Sequence, residues 1–371
     1  MNKSTVIIKS PGRINLIGEH IDYNGGYVLP AATDLFIKFT FKISERGYSE
    51  IKSCVINKEF NINLNNLKKS NIKWENYIIG SLISILKKRN ISLYNFNCLI
   101  EGNLPVGSGI SSSSSLICGF VQGISLLNKL NFSKNDLLSI SRDVEYDFIG
   151  LKGGTMDQFT IINAKKNNLI LLNTIDNSSD FIEADLGNYK ILLLNTNKKH
   201  NLSDSSYNDR VDECNEAKRI INESGINIKF LTEVNKNQLN NLKNRMPKLI
   251  YNRARYVIEE NERTKKSIKF IKEFNFKSFG ELMYLSHEGL KNLYEVSCKE
   301  LDFLVDETVE HNQILGARMM GGGFGGCTIN LIHTEFIDLF TEKISRKYLK
   351  KFSIPLSPIV TTLGKGLRQE K

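Results

Sequence analysis

Between residues 10 and 23 the chain runs Ser10-Pro11-Gly12-Arg13-Ile14-Asn15-Leu16-Ile17-Gly18-Glu19-His20-Ile21-Asp22-Tyr23. No other stretch limits the fold as tightly. Apolar Ile14, Leu16 and Ile17 belong inside, yet Arg13, Glu19, His20 and Asp22 stand beside them. Burying ionisable groups is costly unless they are paired or meet a polar ligand. The segment is therefore expected to run through the interior and open onto a polar site. There Arg13, and His20 when protonated, are the cations, and Glu19 and Asp22 the carboxylates.

A chain of 371 residues can bury a large core, and its length favours two domains over one. With 41% hydrophobic and 24% charged residues it has the balance of a soluble globular protein. No apolar run is long enough to span a bilayer. The start, Met1-Asn2-Lys3-Ser4, enters a strand-like run without the apolar stretch of a signal peptide. A cytoplasmic location is expected. The six cysteines form no Cys-x-x-Cys pair, which disfavours zinc. Cys98 and Cys118 sit in apolar runs as small buried hydrophobes, and a reducing compartment fits. The net charge of +10 raises a nucleic-acid partner. However, the lysine pairs at 68–69, 87–88, 165–166 and 198–199 are scattered. A solvated basic surface is the simpler account, and its field also suits an anionic nucleotide.

Residues 5–9 predict a strand ending at Pro11-Gly12, with another extended piece over 14–17 and more β-structure over 28–32 and 35–43. Apolar spacing predicts a helix over 74–89, and 96–101 reads as a strand. Residues 113–128 are apolar all round and read as a buried helix. Ser133 is placed to cap a helix over 133–147. Strands are expected at 169–172 and 190–195, and helices over 204–223, 253–273, 279–292 and 298–311. A second β-rich part begins at Gly316 and includes 327–332, and the polar segment 173–188 is the expected domain boundary.

Three further segments carry candidate chemistry. The first is Gly107-Ser108-Gly109-Ile110-Ser111-Ser112-Ser113, which joins a strand to the buried helix. Gly107 and Gly109 permit positive φ, and a helix N-terminus offers free N–H donors to an anion. No Gly-Lys-Ser/Thr follows, so it is not a Walker loop. A plain Gly/Ser turn with a serine cap remains open on the residues alone. In the second, Gly153-Gly154-Thr155-Met156-Asp157-Gln158, a carboxylate after a Gly-Gly turn either caps the next element or is held against a ligand. The third is Arg318-Met319-Met320-Gly321-Gly322-Gly323-Phe324-Gly325-Gly326-Cys327. Its five glycines are costly in entropy unless backbone packs closely on something, and Phe324 argues for an ordered turn near the site.

Together these segments closely resemble the galactokinases, a branch of the GHMP small-molecule kinases. The likeness covers residues 10–331, with all three motifs in order. Ile110 stands for the usual Leu, Ser114 for a frequent Ala, Thr155 for Ile and Met320 for Thr. The resemblance implies the α+β GHMP kinase fold: a mixed-sheet α/β N-terminal domain (1–175), an α+β C-terminal domain (188–371), and an active site in the cleft between them. It implies ATP-dependent phosphorylation of the anomeric hydroxyl of α-D-galactose to galactose 1-phosphate, with Mg²⁺.

Residue by residue, the resemblance makes Asp157 and Arg13 catalytic. Glu19, His20, Ile21, Asp22, Gly154 and Tyr207 become sugar contacts. Gly107, Ser108, Gly109, Ile110, Ser111, Ser112 and Ser113 bind the nucleotide, and Ser113 and Glu145 hold magnesium. Tyr207 takes its place from the segments 195–200 and 206–210. Around Ser286-His287, Tyr294-Glu295, Ser297-Cys298 and Asp302 the likeness reads as scaffold. The chemistry suits these residue types, because a sugar hydroxyl needs its proton accepted and a transferring phosphoryl group needs cations. Whether Asp157 is a full base or an orienting group stays open, as does a structural role for His20. Expected partners are a small sugar and ATP, with no nucleic acid and no membrane, on a monomer. The rivals are a kinase for N-acetylgalactosamine or arabinose, and a catalytically silent galactose and ATP sensor.

Overall fold

The computed structural model describes residues 5–198 and 203–370. The expectations placed on Met1-Ser4, Lys199 and His200 lie outside the described residues. In chain order the first half comprises β1 (Val6–Asn15), β2 (Tyr27–Val28), β3 (Pro30–Ile43), β4 (Ser49–Ser53), β5 (Lys58–Ile62), α1 (Lys73–Lys88), β6 (Phe96–Gly102), α2 (Ser112–Leu127), α3 (Lys134–Asp143), α4 (Met156–Asn163), β7 (Asn168–Asn173) and β8 (Ser178–Glu183). The second half comprises β9 (Tyr189–Asn195), α5 (Ser203–Glu223), α6 (Lys236–Asn241), α7 (Lys248–Lys272), α8 (Phe276–Asn292), α9 (Lys299–Asp306), β10 (Ile314–Met320), β11 (Cys327–His333), α10 (Ile337–Phe352), β12 (Ser357–Thr361) and β13 (Arg368–Glu370).

The first sheet has the order β13-β1-β3-β6-β4-β5 and is mixed, because β4 pairs parallel to β6 while its other pairs are antiparallel. The second sheet, β10-β11-β9-β12, is wholly antiparallel, and β2-β7-β8 form a third. This is the expected α+β arrangement. The segment 173–188 is not a bare linker. It contains β8, whose exposed Ser178 and Asp180 alternate with partly buried Ser179 and Phe181 against β7. The chain also returns at its end, since β13 pairs with β1.

The first strand does not stop at Pro11-Gly12. It runs on to Asn15 through a register shift between Pro11 and Arg13, where the missing proline N–H is tolerated. Helix α2 lies on the first sheet because Gly119 and Gly123, one turn apart, leave room for two aromatic rings. A Cβ on either would sit 2.3 Å from Phe39 and 2.0 Å from Phe41. Ser115 Oγ donates to the Ser10 carbonyl at 2.9 Å and pins the start of α2 to β1. The serine loop and the charged segment are thereby brought together.

Ser133 caps α3 with a reciprocal Ser133–Asp136 box. The expected helix over 133–147 changes pitch, becoming a π-helix over Val144–Ile149 that carries Glu145. Helices α7 and α8 begin earlier than their apolar spacing suggests, and α9 ends at Asp306 rather than 311.

Candidate active site

A cavity of about 290 Å³ opens where β1, the serine loop, the 153–157 turn and the glycine motif converge. Its walls include Arg13, Glu19, His20, Asp22, Ser111, Ser112, Ser113, Glu145, Gly154, Asp157 and Tyr207, so most of the predicted residues meet at one place. Gly107 and Gly109 line it too. Ser108, Ile110 and Ile21 do not. Ser108 is buried, with its hydroxyl on the Pro105 carbonyl, while Ile110 and Ile21 point into hydrophobic cores. Any role for these three in ligand contact passes through their backbone.

Asp157 is in the first turn of α4 rather than in a free turn. Arg13 grips it from two nitrogens, Nε to Oδ1 at 2.6 Å and Nη2 to Oδ2 at 3.1 Å, while Nη1 donates to the Gly109 carbonyl at 2.7 Å. Ser111 also donates its hydroxyl to Asp157. A bidentate pair fixes the carboxylate plane as well as its charge. Ser111 is left-handed (φ 57°) at the N-cap of α2 and makes no side-chain cap to the helix. The free N–H groups of that first turn remain available to an anion.

Glu145 lies deeper. Ser114 donates to its Oε1 at 2.6 Å, and Gln158 donates to Oε2 at 2.6 Å. Ser114 is 31 positions and Gln158 13 positions from Glu145, so folding rather than any local sequence signal brings the three together. Burial pushes the Glu145 carboxyl up to about 7. Asp22 is likewise raised to about 7, by burial and by the nearby charges of Asp157 and Glu19. Asp22 packs against Gly154, where an added Cβ would lie 2.5 Å from its Oδ2.

For His20 the condition placed on its charge is decided by its surroundings. Burial, with Arg210 and Arg318 adding to it against the Gly322 carbonyl, lowers it to about 3, so it is neutral rather than a cation. Its backbone is left-handed at φ 62°, and its ring lies against Tyr207 and Tyr294, with centroids at 5.4 and 4.9 Å. Glu19 is held inside the protein. Arg318 reaches its Oε2 at 3.0 Å, Asn15 donates to the same oxygen, and the Gly321 N–H donates to Oε1. Sequence reasoning assigned no role to Arg318, which is fully buried and also donates to the Leu16 carbonyl at 2.8 Å. The glycine motif is ordered, as Phe324 suggested. It packs on the serine loop so closely that a Cβ on Gly321 would come 3.2 Å from the Gly109 carbonyl oxygen.

Three family models match in order: the galactokinase galactose-binding signature at residues 1–40, the GHMP kinase N-terminal domain at 76–165 and the GHMP kinase C-terminal domain at 267–348. A curated galactokinase of Thermotoga maritima is 39% identical over 94% of this chain and 95% of its own. One from Clostridium tetani is 38% identical over 96% and 91%. Among solved structures, Lactococcus lactis galactokinase complexed with galactose superposes with a TM-score of 0.92 at 32% identity, covering 98% of this chain and 95% of that one. Methanococcus jannaschii mevalonate kinase, at 22% identity and a TM-score of 0.71, shares the fold. On these matches, the chain belongs to the galactokinase family of the GHMP kinases.

Proposed function

We propose that the protein transfers the γ-phosphoryl group of ATP to the anomeric hydroxyl of α-D-galactose, giving galactose 1-phosphate and ADP. The observation that carries this is Asp157, fixed by Arg13 and Ser111 on the wall between the serine loop and the segment holding Glu19, His20 and Asp22. A nucleotide bound at the serine loop and a sugar bound at that segment both reach Asp157. As the new P–O bond forms, Asp157 takes the hydroxyl proton and the bond to the ADP oxygen breaks. Arg13 offsets the charge that develops. Asp22 and His20 meet sugar hydroxyls, with Gly154 and Tyr207 shaping the wall beside them. Glu19 mainly holds the sugar segment against the glycine motif through Arg318.

The donor set fits a magnesium ion. Ser113 and Glu145 border the cavity at the α2 N-terminus, and an adjacent cation would favour the ionised form that burial disfavours in Glu145. Among the described residues no group of three or more His, Cys, Asp or Glu side chains could hold a metal. Magnesium on nucleotide phosphates needs only one or two protein ligands. Held there, the ion would neutralise phosphate charge.

We also take 1–175 and 188–371 as the two units that border the cleft. A cytoplasmic setting is proposed on the six unpaired thiols. Among the described residues no helix is long and apolar enough to cross a membrane. The test is ADP release with Mg-ATP and a panel of galactose, N-acetylgalactosamine, glucose, arabinose and mevalonate. Galactose is expected to give the highest kcat/KM, and a different preferred acceptor would overturn the assignment.

A further inference from the structure

A chain of hydrogen bonds leads from the cavity into the helical core. His20 Nδ1 lies 2.7 Å from the Tyr23 hydroxyl, which lies 2.7 Å from the Tyr294 hydroxyl, which in turn lies 3.1 Å from Cys214 Sγ. Asn24 donates to the His20 carbonyl at 2.8 Å and holds the left-handed backbone in place. The other ring nitrogen, Nε2, is buried without a hydrogen-bond partner, on a ring that lines the cavity.

We propose that Tyr23 and Tyr294 are positioning residues that lock His20 as the Nε2–H tautomer, so that the ring offers the sugar a donor. Each hydroxyl in the chain has one proton, and a neutral imidazole has one donor and one acceptor nitrogen. When protons point toward the ring, the Cys214 thiol donates to Tyr294, Tyr294 to Tyr23, and Tyr23 to Nδ1. Every proton in the chain is then used, and Nε2 keeps its hydrogen. The opposite direction ends on sulfur, a weak acceptor, and leaves the thiol proton unused. It also turns an Nε2 lone pair toward a cavity already lined by the acceptors Glu19, Asp22 and Asp157. A donor among those carboxylates lets the site contact a hydroxyl oxygen from one side while a carboxylate accepts its proton from another. The inference rests on the sugar-site assignment above for its consequence, but not for the tautomer.

The test is a ¹⁵N–¹H imidazole correlation spectrum of labelled, ligand-free protein at pH 7.5, with His20 assigned by its loss in His20→Asn. The expected spectrum shows a protonated Nε2 in the wild type and an appreciable Nδ1–H population in Tyr23→Phe. That variant is also expected to raise the sugar KM about tenfold, the loss of one good hydrogen bond, with kcat and the ATP KM little changed. If Tyr23→Phe does not fold, Tyr294→Phe breaks the same chain one link further away. A protonated Nδ1 in the wild type, or a tautomer indifferent to either substitution, would overturn the proposal. Because the spectrum is taken without sugar, it decides the matter even if another acceptor is preferred.

Discussion

Asp22 makes the ligand-free protein less stable in return for a charge in the sugar site, and Asp22→Asn exposes that cost. Its carboxyl moves from the ordinary 3.8 to about 7 on folding, chiefly through burial and then through Asp157 and Glu19. A carboxyl raised in the folded state favours folding when protonated. That contribution is whole below the unfolded value and is lost as pH rises through about 7. The full difference is about 4 kcal/mol, of which roughly half is lost between pH 5.5 and pH 8. The amide does not titrate, so the melting temperature of Asp22→Asn relative to wild type should climb over that interval. For a chain of this size about 2 kcal/mol corresponds to about 2–3 °C. The assay is thermal unfolding of both proteins without ligands at the two pH values. The same variant should raise the sugar KM about 10–100-fold, because a hydroxyl loses a charged acceptor. A melting gap that does not change with pH, or an unchanged sugar KM, would refute the reasoning.

Two further outcomes follow from contacts at the same wall. Gly154→Ala places a Cβ 2.5 Å from the Asp22 carboxylate, so it should raise the sugar KM severalfold and leave the ATP KM alone; equal effects on both would contradict it. Glu145→Gln removes the charge next to Ser113 and should raise the Mg²⁺ needed for half-maximal rate about tenfold, a loss of about 1.4 kcal/mol in ion binding; an unchanged Mg²⁺ titration would remove Glu145 as a ligand.

The parts of the site that were legible in sequence are those where chain neighbours act together. The Arg13-to-Asp22 segment, the serine loop and the Gly-Gly-x-x-Asp turn each bring their groups to the cavity as single pieces. What escaped was set by partners far apart in the chain. Arg318 pairs with Glu19 across 299 positions, and Tyr294 reaches Tyr23 across 271. Ser114 donates to Glu145 across 31 positions, a pairing set by the phase of α2 against the π-turn. His20 is neutral because burial and the distant Arg210 and Arg318 lower it together, which its chain neighbours do not reveal. In the fold, α1 was plain from its apolar spacing and α2 from being apolar all round. The polar strands β4 and β5 and the short β8 and β13 were not, because they bury too little apolar surface to show a period.

The most direct test of the central claim compares ADP release from Mg-ATP and galactose by the wild type and by Asp157→Asn, with nucleotide binding measured on both. The amide keeps the size of the side chain but cannot take a proton. Galactose-dependent turnover in the wild type, with kcat lowered about 10²–10⁴-fold in the variant and ATP still bound, is the predicted result. Near-normal turnover by Asp157→Asn would remove Asp157 from the chemistry and the account with it.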